Sequence, residues 1–125
     1  MRPKHTGKDA NHWIPRDFLR DRCGGFEVIQ FGKGTPRCYT ANYQGAQIIL
    51  WDTADFGGVW SDWFLYCPFT GKSRWIEIKT AEAFATKDHD MTDGEKWLLH
   101  TELLSFRIVV TDNDFSEILE WVVLD

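Results

Sequence analysis

Apolar and polar positions along this chain divide it into helical, strand-like and loop segments, in the order roughly αββββ followed by αβα. Residues 14–25, IPRDFLRDRCGG, predict a short helix. Pro15 suits its first turn, Phe18, Leu19 and Arg22 fall on neighbouring faces, and Gly24-Gly25 ends it. FEVIQFG (26–32) alternates like a strand, and KGTPRCYTANYQG (33–45) carries the Gly and Pro punctuation of a loop. AQIILWD (46–52) reads as a second strand or a short buried segment, and DFGG (55–58) is a break.

The strongest pattern comes next. DWFLYCP (62–68) and SRWIEIKT (73–80) are aromatic and β-branched runs joined by FTGK, which predicts an antiparallel hairpin. AEAFATKDHD (81–90) is a polar connection. In MTDGEKWLLHTELL (91–104), Thr92 with Glu95 three residues on has capping-box spacing, and Trp97, Leu98 and Leu103 would turn toward a sheet. FRIVVT (106–111) is a strand, and DFSEILEWVVLD (114–125) a short helix fraying into an extended tail. The sum is a mixed α/β fold in one domain over 1–125, with residues 1–12 as a loose basic segment.

Composition adds bounds. A chain of 125 residues can bury one core without staples, and no apolar run approaches a bilayer span. MRPKHTGKDANHW has charges with no apolar stretch behind them, so the expectation is a cytoplasmic protein without a membrane partner. Cys23, Cys38 and Cys67 are odd in number and widely spaced, which suits free thiols. The net charge of −5 is uneven: residues 1–37 hold eight Lys and Arg against four acids, a net +4, leaving −9 for the rest. A basic end and an acidic body fit a phosphate-gripping arm beside a metal-binding body.

The candidate chemistry lies in the hairpin. Glu77 and Lys79 share one strand face, about 7 Å apart by strand rise, while Ile76 and Ile78 share the other. Pairing the two strands brings Asp62 near them. Two carboxylates, with the Ile78 backbone carbonyl as a further oxygen, are the hard donors that Mg²⁺ or Mn²⁺ takes, alongside waters and a substrate phosphate. Lys79 would orient or deprotonate an attacking water and stabilise charge on phosphorus. The competing reading of Glu-x-Lys is an exposed salt pair worth about 0–1 kcal/mol.

These residues resemble the PD-(D/E)XK nucleases. GVWSDWFLYCPFTGKSRWIEIKT (58–80) is similar to their core, with an Asp opening one strand, a hairpin and Glu-x-Lys in the next strand. MTDGEKWLL is similar to the segment that follows Glu-x-Lys in the VRR-NUC and Holliday-junction-resolvase-like branches. FRIVVTDND resembles their closing strand, and TGKDANHWIPRDFLRDRCGG their first helix. The resemblance runs from residue 8 to about 120 and implies a restriction-endonuclease-like core, αβββαβ, with a mixed central sheet flanked by helices. It implies a Mg²⁺- or Mn²⁺-dependent DNA endonuclease with Asp62, Glu77 and Lys79 as the catalytic set and no organic cofactor. By the same resemblance it would act as a homodimer on branched or structured DNA. Lys4, Lys8, Arg16, Arg20 and Arg37 would grip backbone phosphates. The chain departs from the pattern in three places: Ser61 stands for the usual Pro, Glu95 for the usual Gln, and the first-helix Glu has no direct match. His12 falls near its place, with Asp9 or Asp17 as substitute acids, while Thr92 and Glu95 are accessory at most. The alternative is a catalytically inactive module of the same fold that binds DNA or protein.

Other signals carry less. TDNDFSE (111–117) starts like an EF-hand loop but lacks Gly at the sixth position and Glu at the twelfth. Trp63 and Trp75, on strands, suit packing, whereas Trp13 and Trp60, beside the proposed site, suit base stacking.

Overall fold

A computed structural model of the chain describes residues 10–56, 61–85, 93 and 106–125. Lys4, Lys8, Asp9, Trp60, Thr92 and Glu95 lie outside the described residues. The architecture is α/β, built on a mixed six-stranded sheet whose spatial order follows the chain. The strands are β1 (Glu27–Ile29), β2 (Cys38–Tyr43), β3 (Ala46–Trp51), β4 (Trp63–Cys67), β5 (Lys72–Ile78) and β6 (Phe106–Val109). Neighbours from β1 to β5 pair antiparallel, and β5 with β6 parallel. Helix α1 (Ile14–Arg22) precedes the sheet, α2 (Ala81–Phe84) follows β5, and α3 (Asp112–Val123) closes the chain.

One sheet face is the core face. Tyr39, Ala41, Ile48, Leu50, Trp63, Leu65 and Ile76 project from alternate positions and pack with Phe18 and Leu19 of α1. Phe115, Ile118, Leu119 and Val122 of α3 join them, spaced at i, i+3, i+4 and i+7, so a single helical stripe is buried. The Phe18 and Phe115 rings meet edge to face at 5.4 Å and tie the two helices together over the sheet. On the opposite face, Trp51, Phe64 and Trp75 occupy directly paired positions on three strands, with ring centroids 5.7 and 4.5 Å apart. No helix among the described residues is long and apolar enough to cross a membrane.

Three segments differ from the sequence expectation. CYTANY, read as loop, is strand β2, paired with β3 along its whole length. The two strands are joined by Gln44 and Gly45, whose φ values of 51° and 83° are the left-handed pair of a two-residue hairpin turn. The expected helix near the C-terminus starts earlier and is longer: Thr111 caps it, its hydroxyl accepting from the Asp114 amide, while the Asp114 carboxylate accepts from the Thr111 amide. The TDND run is therefore a capping box. The polar connection after β5 likewise opens with a helical turn, capped by the Thr80 hydroxyl, which accepts from the Ala83 amide. Helix α1 matches its expectation; Gly24, with φ 74°, lets the Gly25 amide return to the Leu19 carbonyl at 3.2 Å.

Replacing Thr111 by Ala removes one cap of α3 and should lower stability by about 1 kcal/mol in urea unfolding, with an unchanged m-value. Full stability in Thr111→Ala would show that the cap contributes nothing.

Candidate active site

The hairpin register decides which side chains meet. Trp63 pairs with Ile76, and the same register carried one residue further sets Asp62 opposite Glu77. The backbone ladder stops there because the chain at Ser61 and Asp62 turns toward the 53–54 turn. The Thr53 hydroxyl donates to the Ser61 carbonyl at 2.6 Å, and the Ala54 amide to the Asp62 carbonyl at 3.0 Å. The Ile78 amide donates instead to Asp62 Oδ2 at 2.8 Å, so a side-chain carboxylate closes the ladder in place of a backbone carbonyl. In a strand the N–H and C=O of one residue leave on the same side, which puts the Ile78 carbonyl on the side of β4 and Asp62.

Glu77 and Lys79 lie on the sheet face opposite Ile76 and Ile78. Lys79 Nζ is 3.5 Å from Glu77 Oε2, and their side chains are only 12% and 6% exposed. The exposed salt pair that Glu-x-Lys also suggested is thus excluded by burial. An ion pair this deep feels a lower effective dielectric than a surface one and is dear to break on one side only. The Lys79 amide donates to the Val109 carbonyl at 3.0 Å, extending the β5–β6 pairing past Ile78 and fixing the backbone under the ammonium.

The segment that begins α1 lies against this end of the sheet. Asn11 Nδ2 donates to the Lys79 carbonyl at 3.4 Å, and Trp63 Nε1 to the His12 carbonyl at 2.8 Å. His12, at the place of the first-helix acid, is 1% exposed and stacks on Trp63 with centroids 4.9 Å apart. Its Nε2 lies 3.2 Å from Oδ1 of the fully buried Asp52. Asp52 also meets Arg37, which reaches Asp55 as well, and the Asp55 carboxylate holds the Arg37 guanidinium above its ordinary pKa. The His12–Asp52–Arg37–Asp55 network was not legible in the sequence. Its members come from three separate segments, Asp52 and Asp55 sharing one turn, and no local spacing links that turn to His12 or Arg37.

The remaining predicted residues are placed as follows. Asp17 accepts from Arg16 at 2.9 Å and from Arg20 at 3.3 Å, and with Asp112 lines a shallow cleft between α1 and the start of α3. It faces the helix layer, away from the Glu77 face. Arg20 also pairs with Asp21, whose carboxylate raises the guanidinium's pKa while its own is lowered. The described phosphate-gripping candidates, Arg16, Arg20 and Arg37, therefore each carry a carboxylate partner. Trp13 is packed, with the Arg16 guanidinium 4.1 Å over its ring and the His12 ring at its edge. Cys23, Cys38 and Cys67 are free, and burial raises the thiol pKa of Cys23 and Cys38.

Comparison of the chain with family models, with curated proteins and with solved structures gives no match. Function must therefore be argued from the site. Among the described residues no group of three or more His, Cys, Asp or Glu side chains is placed to hold a metal. The donors at this end of the sheet are Asp62, Glu77 and the Ile78 carbonyl. Two carboxylates and a carbonyl are hard oxygens, a set that fits Mg²⁺ or Mn²⁺ completing its shell with water and substrate.

Asp52→Ala leaves His12 and Arg37 without their buried carboxylate. It should cost about 3–5 kcal/mol in chemical denaturation, several times the loss from Asp21→Ala on the surface of α1. Equal losses in the two variants would mean that the buried network does not support the fold.

Proposed function

We propose that the chain is a metal-dependent endonuclease that hydrolyses DNA phosphodiester bonds, on a restriction-endonuclease-like core. One observation carries this reading: the Asp62 carboxylate closes the β4–β5 ladder on the residue between Glu77 and Lys79, and Lys79 is held 3.5 Å from Glu77 in a buried pair. The order of strands supports it, since an antiparallel run ending in a parallel β6 agrees with a core in which a crossover follows Glu-x-Lys.

In this reading Asp62, Glu77 and the Ile78 carbonyl hold the ion. When bound, Mg²⁺ or Mn²⁺ supplies Lewis-acid polarisation of a phosphoryl oxygen and a lower pKa for water. The chain's own residues do the rest. Asp62 is fixed by the Ile78 amide and so keeps one carboxylate oxygen aimed without rotamer search. Lys79, steadied by Glu77, places a cation where negative charge grows on the phosphoryl oxygens and orients the water for in-line attack. A P–O bond forms to that water, the opposite P–O ester bond breaks, and the water's proton leaves while the departing oxygen gains one. Cutting both strands of a duplex takes two such sites, for which a homodimer is proposed. Arg16 and Arg20 contribute phosphate contacts by exchanging their local carboxylates for strand oxygens, which surface pairs of about 0–1 kcal/mol permit, whereas Arg37 can offer only the donors that its partners, buried Asp52 and half-buried Asp55, leave over.

The second reading, an inactive module of the same fold, is favoured by one observation. The residue at the place of the first-helix acid is His12, and Asp52 already engages it.

With Mg²⁺ or Mn²⁺, the parent should cut at least one member of a panel of duplex, nicked, flapped and four-way-junction DNA. Asp62→Ala, Glu77→Ala and Lys79→Ala should each lower the rate by a hundredfold or more while the folded state persists. DNA binding with no metal-dependent cutting above the Asp62→Ala background would select the inactive module.

A further inference from the structure

The α3 side of the sheet, across from the Glu77 face, carries two arginines that have no ion-pair partner among the described residues and that the proposed reaction does not use. A cleft of about 390 Å³ runs between the β5–β6 edge and α3, lined by Arg74, Arg107 and Ile108 on one wall and by Asp114, Glu117, Ile118 and Trp121 on the other. Arg74 is 8% exposed. Its guanidinium lies 3.4 Å from the centre of the Trp121 ring, and its polar contact is a 3.4 Å bond to the Ser73 carbonyl. Arg107 donates to the Phe106 carbonyl at 2.7 Å and is otherwise exposed. Among the described residues neither arginine forms an ion pair.

That combination is unusual for a guanidinium. It remains charged at any ordinary pH, and a nearly buried one is normally matched by a carboxylate. Stacking on an indole offsets part of the desolvation but leaves the in-plane N–H donors unspent. Burial first, and the neighbouring Arg107 charge second, push the Arg74 pKa down, so the pair repel each other. The acids on the facing wall, Asp114 and Glu117, form no ion pair with either arginine; Asp114 spends Oδ2 on the Val110 and Thr111 amides at 2.9 and 3.0 Å, and Glu117 is exposed to solvent at the cleft.

We propose that this cleft is a phosphate-binding site, with Arg74 and Arg107 directing their N–H forks at one phosphate group. A carboxylate is planar and saturated by a single fork, whereas a tetrahedral phosphate presents its oxygens to two guanidinium groups from different directions at once. Trp121 stacks 3.4 Å from the Arg74 guanidinium and limits its movement at the cleft wall. The phosphate is carried by a nucleic-acid strand or by a small phosphorylated ligand, two sources of the same chemistry. The site stands independently of the nuclease reading, because Arg74 and Arg107, paired with core-facing Leu65 and Ile76, lie on the other face from Glu77 and Lys79.

The full chain titrated with inorganic phosphate at constant ionic strength should show saturable amide shifts at residues 107–108 and 114–121 in ¹⁵N–¹H spectra. Arg107→Gln, which alters an exposed side chain and leaves the core untouched, should weaken that binding at least tenfold. Arg74→Gln should abolish it, and Asp62→Ala should leave it unchanged. Displacement of phosphate by a DNA oligonucleotide whose own affinity drops with Arg107→Gln assigns the phosphate to a strand. Displacement by a mononucleotide alone assigns it to a small ligand. Shifts that do not saturate, or that persist undiminished in Arg107→Gln, would overturn the site.

Discussion

The pairing register between β4 and β5 is the constraint on which the site depends. With Trp63 opposite Ile76, the core-facing set Trp63, Leu65 and Ile76 and the opposite set Phe64, Trp75 and Glu77 are fixed together. A slip of one residue would send Trp63 out of the core and Glu77 into it, a change of several kcal/mol in burial alone. The register is defended at both ends. At the turn, the Gly71 amide donates to the Cys67 carbonyl at 2.8 Å; at the open end, the Asp62 carboxylate takes the Ile78 amide at 2.8 Å. The second lock is itself one of the proposed metal ligands, so the geometry that aligns the strands also aims the site.

Trp63 extends this constraint to the helix layer. Its indole is fully buried, stacks on His12 and donates to the His12 carbonyl, which draws the start of α1 onto the same end of the sheet as Lys79. The charged network behind it, His12 with Asp52 and Arg37 with Asp52 and Asp55, is satisfied internally, as buried polar groups must be. The uneven charge along the sequence thus has a local explanation on α1. Most of the basic side chains there are matched by acids one to three residues away, and the helix presents a mixed surface. Among the described residues, Arg74 and Arg107, which form no ion pair, sit where the sequence is acidic on average.

The hairpin, α1 and β6 were legible because each carries its own local signal: alternation bracketed by a Gly-containing turn, Pro at a first turn, Gly at a last. Strand β2 was not, because its buried positions are Cys38, Tyr39 and Ala41, which do not alternate strictly and stand between the Gly and Pro of 32–36 and the Gln-Gly turn. The full length of α3 was hidden by a cap that uses Asp at the position where Glu or Gln is the familiar signal, although Thr111 and Asp114 have the right spacing. Within the site, alternation alone placed Glu77 and Lys79 on one face. Their burial, the bond from Ile78 to Asp62 and the pairing of His12 with Asp52 across forty positions are tertiary facts that no local pattern encodes.

The central claim is that Asp62 and Glu77 share a divalent cation. Paramagnetic broadening of backbone amide signals by substoichiometric Mn²⁺ tests it most directly, since the effect falls steeply with distance and needs no substrate. The account predicts broadening centred on residues 62 and 77–79 and relieved by Mg²⁺. Broadening scattered over exposed acids such as Asp112, Glu117 and Asp125, with the signals of 62 and 77–79 unaffected, would contradict it.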